Sequence, residues 1–199
     1  MSEFITAALD EASTALARLR SDERARKAVA DAGRLLVAAF LARNRAFSCG
    51  NGGSMCDAMH FAEELSGRFR RDRPALAAVA ISDPGHITCT GNDYGFEHIF
   101  SRYVEAHGRE GDILLAISTS GESHNVVLAA DRAHALGLKV IALTGKAGST
   151  LGRAADVEIC TPSGAYADRV QELHIKVIHI LIELVERQMF PANYRHPQA

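Results

Sequence analysis

Apolar residues recur at helical spacing over residues 3–20 and 22–44, with Val29, Leu36 and Phe40 on one face of the second stretch. This pattern predicts two N-terminal helices, with Ser21 as a cap between them. Beyond residue 45 the pattern changes. Short apolar runs, each bounded by Gly, Ser, Asp or Thr, fall at Ala46–Cys49, Leu76–Ile81, Ile113–Ile117, Val140–Leu143 and Val157–Cys160. They read as strands buried on both faces, the pattern of parallel strands in βαβ units. Helical stretches separate them, at roughly 54–68, 94–107, 121–136 and 166–190. The predicted class is therefore α/β. No internal repeat, low-complexity segment or linker divides the chain. Residues 1–199 are expected to form one domain, with a helical segment at 1–44 and a loose tail at 191–199.

The last helix bears on assembly. Ile175, Val177, Ile178, Ile180, Leu181, Ile182, Leu184 and Val185 cover most of its circumference. A helix apolar nearly all round must be buried nearly all round. Either it runs through the centre of one subunit, or it builds an oligomer core with the N-terminal helices; the second reading is preferred for a terminal helix in a chain of 199 residues.

Composition narrows the function classes. A net charge of −2 leaves no basic excess to attract a phosphate backbone, which argues against nucleic acid as the ligand. Cys49, Cys56, Cys89 and Cys160 are widely spaced and form no CxxC pair, as expected of thiols in a reducing compartment. The N-terminus, MSEFITAALDEAS, lacks the basic and apolar regions of a signal peptide. The most apolar stretch, Ile175 to Val185, is far shorter than a bilayer span and is interrupted by Lys176, His179 and Glu183. The expectation is a cytoplasmic chain with no membrane partner.

Two strand-to-helix loops suit a phosphate. Ser48–Ser54 (SCGNGGS) places Gly50, Gly52 and Gly53 ahead of a helix, where backbone can approach an anion closely. It is neither a dinucleotide fingerprint, since Met55 stands where the third glycine should fall, nor a P-loop. Ser118–Ser123 (STSGES) sets four hydroxyls around one glycine and has no built-in lysine, which fits binding better than phosphoryl transfer. Each loop alone reads equally well as a capped βα turn. Two at the carboxyl ends of parallel strands favour a ligand crevice. Asn92 and Asp93, in Gly91–Gly95, either bond sugar hydroxyls or only shape a turn, and the sequence favours the turn.

Acid and base candidates lie on two helices. His60 and Glu64 are one helical turn apart on one face, a spacing suited to a divalent metal or to joint action on a substrate. Glu63 competes with Glu64, and Asp57 is a further candidate. On the last helix, Gln171, His174 and His179 are polar groups in apolar surroundings. His174 reads as a satisfied buried histidine. His179, between Ile178 and Ile180, needs a strong partner such as a metal, a carboxylate or a substrate hydroxyl. Gln171 and His179 are eight residues apart, about 12 Å along an ideal helix. If both bind one ion, they come from different subunits or the helix is irregular near Gln171. Extended to the Glu64–His179 pair, this reasoning expects the pair to act across a subunit boundary.

These residues closely resemble the phosphoheptose isomerases of the SIS-domain (sugar isomerase) family. The resemblance runs over roughly residues 3 to 190, through SCGNGGS (48–54), CDAMHFAEEL (56–65), GNDYGF (91–96), SRYVEAHGREGD (101–112), ISTSGES (117–123), VIALTGK (140–146) and YADRVQELHIKVIHILIELVE (166–186). It implies a three-layer, flavodoxin-like fold: a five-stranded parallel sheet flanked by helices, in a homotetramer with sites at subunit contacts. It implies interconversion of sedoheptulose 7-phosphate and D-glycero-D-manno-heptose 7-phosphate, which opens heptose synthesis for the lipopolysaccharide core. Glu64 resembles the family's base and His179 its acid. His60, Glu64, Gln171 and His179 resemble its zinc ligands. Asn51, Gly52, Gly53, Glu64, Asn92, Asp93, Ser118, Thr119, Ser120, Ser123 and Gln171 resemble its substrate contacts. Arg68 and Asp168 match positions near its site. The alternative is a non-enzymatic tetramer of the same fold that binds the replication initiator DnaA. That adaptor has a C-terminal tail somewhat like MFPANY here, but it lacks the glutamate corresponding to Glu64 and the histidine corresponding to His179.

Overall fold

The computed structural model describes residues 1–162, 164 and 166–195. Five parallel strands form one sheet in the order β2-β1-β3-β4-β5: β1 (Ala46–Gly50), β2 (Ala78–Ala80), β3 (Ile113–Ser118), β4 (Lys139–Thr144) and β5 (Val157–Cys160). The helices are α1 (Ser2–Ser21), α2 (Glu23–Leu41), α3 (Gly53–Ser66), α4 (Pro84–Asp93), α5 (Ile99–His107), α6 (His124–Ala135), α7 (Thr150–Ala154) and α8 (Ala167–Met189).

The strands separate two apolar layers because successive side chains point to opposite faces. Leu115, Ile117, Ile141 and Leu143 pack with Leu36 of α2, Phe61 and Leu65 of α3, and Val177 and Leu181 of α8. Leu114, Ala116, Val140 and Ala142 pack with Phe100 and Val104 of α5 and with Val126 and Ala129 of α6. The chain runs from β1 to β2 on one side and then to β3 on the other. The carboxyl ends of β1 and β3 therefore flank the topological switch point, where open α/β sheets bind ligands.

Several local expectations are corrected. Asp22, not Ser21, caps α2, accepting from the backbone N–H groups of Arg24 and Ala25; the Ser21 hydroxyl instead donates to the Arg18 carbonyl. The run at 76–81 yields only three strand residues. At one end Leu76 N–H bonds the Leu65 carbonyl of α3, and at the other Ile81 N–H makes the last bond to β1, at the Ser48 carbonyl. The helix expected at 94–107 begins later. Gly95, at φ 96°, breaks the chain after α4, and a 3-10 turn at Phe96–His98 leads into α5. Residues 91–93 lie in the last turn of α4, whose start is set by the Asp83 cap and Pro84. The tail is not loose where it is described. Pro191–Tyr194 forms a 3-10 turn, the Tyr194 hydroxyl donates to Glu186 at 2.7 Å, and Asn193 Nδ2 donates to the Asp72 carbonyl at 3.0 Å. Residues 196–199 lie outside the described residues.

One face of α8 is buried against α2, α3 and the sheet, but Ile180 is exposed. Beside it, Leu16, Leu19, Val29, Val177, Ile180 and Leu184 line an open apolar groove of about 500 Å³ between α1, α2 and α8. Phe4, Ile5 and Leu9 of α1 are also exposed. Within one chain, α8 is therefore not sheathed on every side. No helix among the described residues is long and apolar enough to cross a membrane.

His174 departs from the reading of a satisfied histidine. It is fully buried and neither ring nitrogen has a hydrogen-bond partner among the described residues. Burial holds its pKa down at about 4, against an ordinary 6.5, and the nearby Thr144 backbone opposes this only in part. The unfolded imidazole takes up a proton near pH 6.5, whereas the folded one does so only near 4. Stability is thus whole above that window and falls as pH drops through it, by about 3 kcal/mol in all. His174→Leu should flatten this part of the acid limb when urea midpoints are followed against pH. Parallel limbs in the two proteins would refute the assignment.

Candidate functional site

The glycine loop follows β1. Gly52 sits at φ 55°, ψ −123°, a conformation that side chains resist, and α3 begins at the next residue. A Cβ on Gly53 would fall 2.6 Å from Gln171 Nε2, so the missing side chain is what lets Gln171 of α8 lie on the loop. The hydroxyl loop follows β3. Ser118 is buried, with its Oγ 2.9 Å from Ser123 Oγ and 3.4 Å from Ser120 Oγ, and it accepts from Gly121 N–H at 3.1 Å. The Thr119 carbonyl accepts from Gly145 N–H at 3.0 Å. The helices that follow, α3 and α6, turn their N-termini toward the switch point, where their free N–H groups favour an anion.

Farther along α3, His60 and Glu64 face His179 of α8. His60 Nε2 is 3.2 Å from Glu64 Oε1 and 3.2 Å from His179 Nε2, and His179 Nε2 is 3.8 Å from Glu64 Oε2. Phe69 covers the His179 ring at 5.7 Å between centroids. Burial draws the His179 pKa down, against the pull of the Glu64 carboxylate. Glu64 Oε2 is buried and has no hydrogen-bond partner among the described residues. Two imidazole nitrogens 3.2 Å apart need a proton or a cation between them, and the orphaned carboxylate oxygen needs a positive partner. One donor atom from each of His60, Glu64 and His179 lies within 4.8 Å of the others, so the set fits a metal ion. Nitrogen and carboxylate donors of this kind suit zinc.

The expected residues fall into two groups. Asn51, Gly52, Gly53, Gln171 and the hydroxyls at 118–123 gather at the switch point; His60, Glu64 and His179 gather farther along α3. Glu64 and His179 meet within one chain, which corrects the expectation that this pair is split between subunits. The spacing along α8 never constrained a partner on α3. Because α8 is continuous through Gln171, that residue lies about 12 Å along the axis from His179. Asn92 and Asp93 bond each other and Cys89, not the loops or the histidine cluster. Glu63, Arg68 and Asp168 are exposed. Asp57 has a buried Oδ2 with no partner among the described residues, and burial raises its pKa to about 6 against the opposing influence of His60.

Two residues went unseen in the sequence. Asn125 pairs with Asn51 through both amides. Arg73 donates to the Glu64 carbonyl at 2.6 Å and is paired with Glu186. Spacing gives no sign of either, since both contacts join distant segments.

Residues 9–145 match the SIS domain family model. The chain is 56% identical to the phosphoheptose isomerase of Aeromonas hydrophila over 94% of its own length and 97% of that relative. This chain belongs to the phosphoheptose isomerase family. Two solved phosphoheptose isomerases superpose on it. One is from Neisseria gonorrhoeae, with TM-score 0.86, 37% identity, and coverage of 93% of this chain and 98% of that one. The other is from Francisella tularensis, with TM-score 0.87, 35% identity, and coverage of 93% and 97%.

The closeness of Gly53 and Gln171 tests what the glycine loop does in a phosphoheptose isomerase. Gly53→Ala should leave the melting temperature near that of the natural chain, because Gln171 is a flexible side chain that can move aside. It should weaken sugar-phosphate binding about tenfold, or ~1.4 kcal/mol, by calorimetry. Undiminished affinity would show that the loop and Gln171 do not grip the ligand.

Proposed function

We propose that this chain interconverts sedoheptulose 7-phosphate and D-glycero-D-manno-heptose 7-phosphate, the aldose–ketose step that opens heptose synthesis for the lipopolysaccharide core. The observation that carries this reading is the carboxylate–imidazole pair of Glu64 and His179, 3.8 Å apart in a half-buried site. Glu64 takes the proton from C1 of the ketose while His179 supplies one to the neighbouring carbonyl oxygen, giving an enediol. Glu64 then returns its proton to C2 as the C1 hydroxyl passes its own to His179, which restores both groups to their starting states. Zinc held by His60, Glu64 and His179 would polarise the carbonyl and hold the sugar hydroxyls.

The two groups of site residues fit together through assembly. Glu64 lies eleven residues beyond Gly53, roughly 16 Å along α3. A single heptose phosphate held at the loop of one chain falls short of the Glu64 of that same chain. We therefore place the loops and Gln171 of one subunit against the His60–Glu64–His179 cluster of a second, with Gln171 as the fourth zinc ligand. The apolar face left open on α1 and α8 supplies the contact for a homotetramer. The chain works in the cytoplasm, and its ligand is a sugar phosphate rather than nucleic acid or membrane.

Glu64→Gln should lower turnover of sedoheptulose 7-phosphate by roughly 10²–10⁴-fold, with the oligomer unchanged by light scattering. Robust turnover by this variant would sink the base assignment. Capture of DnaA by a natural protein that turns nothing over would favour the adaptor instead. Dialysis against a chelator should lower activity, with recovery on adding zinc, and His60→Ala should weaken zinc binding at least ~100-fold by competition with a chromophoric chelator. Full activity after complete removal of metal would refute the zinc assignment.

A further inference from the structure

Asn125 is the second residue of α6 and is only 4% exposed. Its side chain meets that of Asn51 head to tail. Asn51 Nδ2 donates to Asn125 Oδ1 at 2.9 Å, and Asn125 Nδ2 donates to Asn51 Oδ1 at 2.8 Å. The pairing fixes the orientation of the two amides relative to one another, because turning over one alone would set donor against donor. Each amide spends one N–H and one lone pair on the other. Asn51 therefore keeps one N–H and one lone pair, in fixed directions. Asn125 is buried behind the bridge, whereas Asn51 is partly exposed. Asn51 is thus the member able to turn its remaining donor and acceptor to a ligand.

The position of the bridge matters as much as its chemistry. Asn51 stands two residues before α3, on the loop that leaves β1. Asn125 stands in the first turn of α6, just past the hydroxyl loop that leaves β3. β1 and β3 are neighbours at the switch point. One pair of hydrogen bonds therefore sets the distance between the two loops and between the two helix N-termini behind them.

We propose that Asn125 is a positioning residue for sugar-phosphate binding, acting through Asn51 to hold the glycine loop at a fixed distance from the hydroxyl loop. This rests on the reading of Asn51 as a ligand contact in an isomerase. Asn125 takes no part in proton transfer. Without it the ligand must order residues 51–53 itself, and that ordering is subtracted from affinity. The effect falls on KM more than on kcat.

A double-mutant cycle tests this. Asn51→Ala, Asn125→Ala and the double variant are compared by kcat and KM for sedoheptulose 7-phosphate and by calorimetric affinity for inorganic phosphate. Asn125→Ala should raise KM about tenfold, or ~1.4 kcal/mol, with the pH profile of kcat unmoved. In the Asn51→Ala background it should add little. Additive penalties would overturn the proposal while leaving Asn51 as a ligand contact. An unchanged KM in Asn51→Ala would overturn it as well, since there would be no contact to position. Should the natural protein fail to turn over the sugar, the isomerase reading falls and the cycle is read from phosphate affinity alone. Equal affinity in the natural chain and Asn125→Ala would then overturn the bridge, and a coupled loss would uphold it. If Asn125→Ala melts below the assay temperature, Asn125→Ser takes its place in the cycle.

Discussion

The site depends on the ion pair between Arg73 and Glu186. Arg73 Nε donates to Glu186 Oε1 at 2.8 Å, and both side chains are essentially sealed from solvent. Its Nη1 donates to the carbonyls of Leu65, Gly67 and Pro74, and its Nη2 to that of Glu64. The carbonyls of Glu64 and Leu65 lie in the last turn of α3, where they lack intrahelical partners. The other oxygen of Glu186 accepts from Tyr194. Every charged atom is thus satisfied, and breaking one partner would strand the other, a loss of about 3–5 kcal/mol for a buried pair. The pin fastens α3 through the backbone of Glu64 itself and α8 at a residue about two turns past His179. The separation of carboxylate and imidazole is therefore set by buried charge rather than by the two side chains.

The sequence disclosed what local pattern can carry. β1, β3, β4 and β5 were legible because strands buried on both faces leave apolar runs with sharp polar ends. His60 and Glu64 were legible because one helical turn fixes their common face. α4 was hidden, although Asp83 and Pro84 spell a helix start, because His86–Thr90 shows no clear apolar period. α7, at five residues, is too short to show a period at all. Arg73 looked like its neighbours Arg68, Arg70 and Arg71 in a basic stretch, and only the tertiary fold sends one of them inward. Asn125 looked like any polar residue at a helix start. The expectation that failed on subunits failed for a related reason: a rise per residue constrains two groups on one helix, not groups on two.

Electrostatic tuning follows from the same packing. His179 is held toward its neutral form by burial, and the adjacent Glu64 opposes that shift without reversing it. His60 is drawn close to Glu64 by the one-turn spacing, and the packing of α8 on α3 brings His179 to both. The His60 and His179 imidazoles, beside a carboxylate oxygen that has no hydrogen-bond partner among the described residues, make a set that is incomplete by itself. The deficit is positive charge, which a metal ion would supply.

The chain carries two groups of site residues that do not meet within it. The switch point has donors, hydroxyls and helix N-termini but no acid–base pair. The α3–α8 cluster has the pair but no phosphate cradle within reach of a single sugar. The bridge between Asn51 and Asn125 rigidifies the first half, and the pin between Arg73 and Glu186 rigidifies the second. Neither half can move toward the other within the chain without breaking buried hydrogen bonds. A second copy would need no such rearrangement to bring them together, and the apolar flank of α8 is open on the single chain. The exposed flank of α8 and the distance along α3 are thus two features that one chain leaves unresolved by itself: an apolar surface open to solvent, and two groups of site residues held apart.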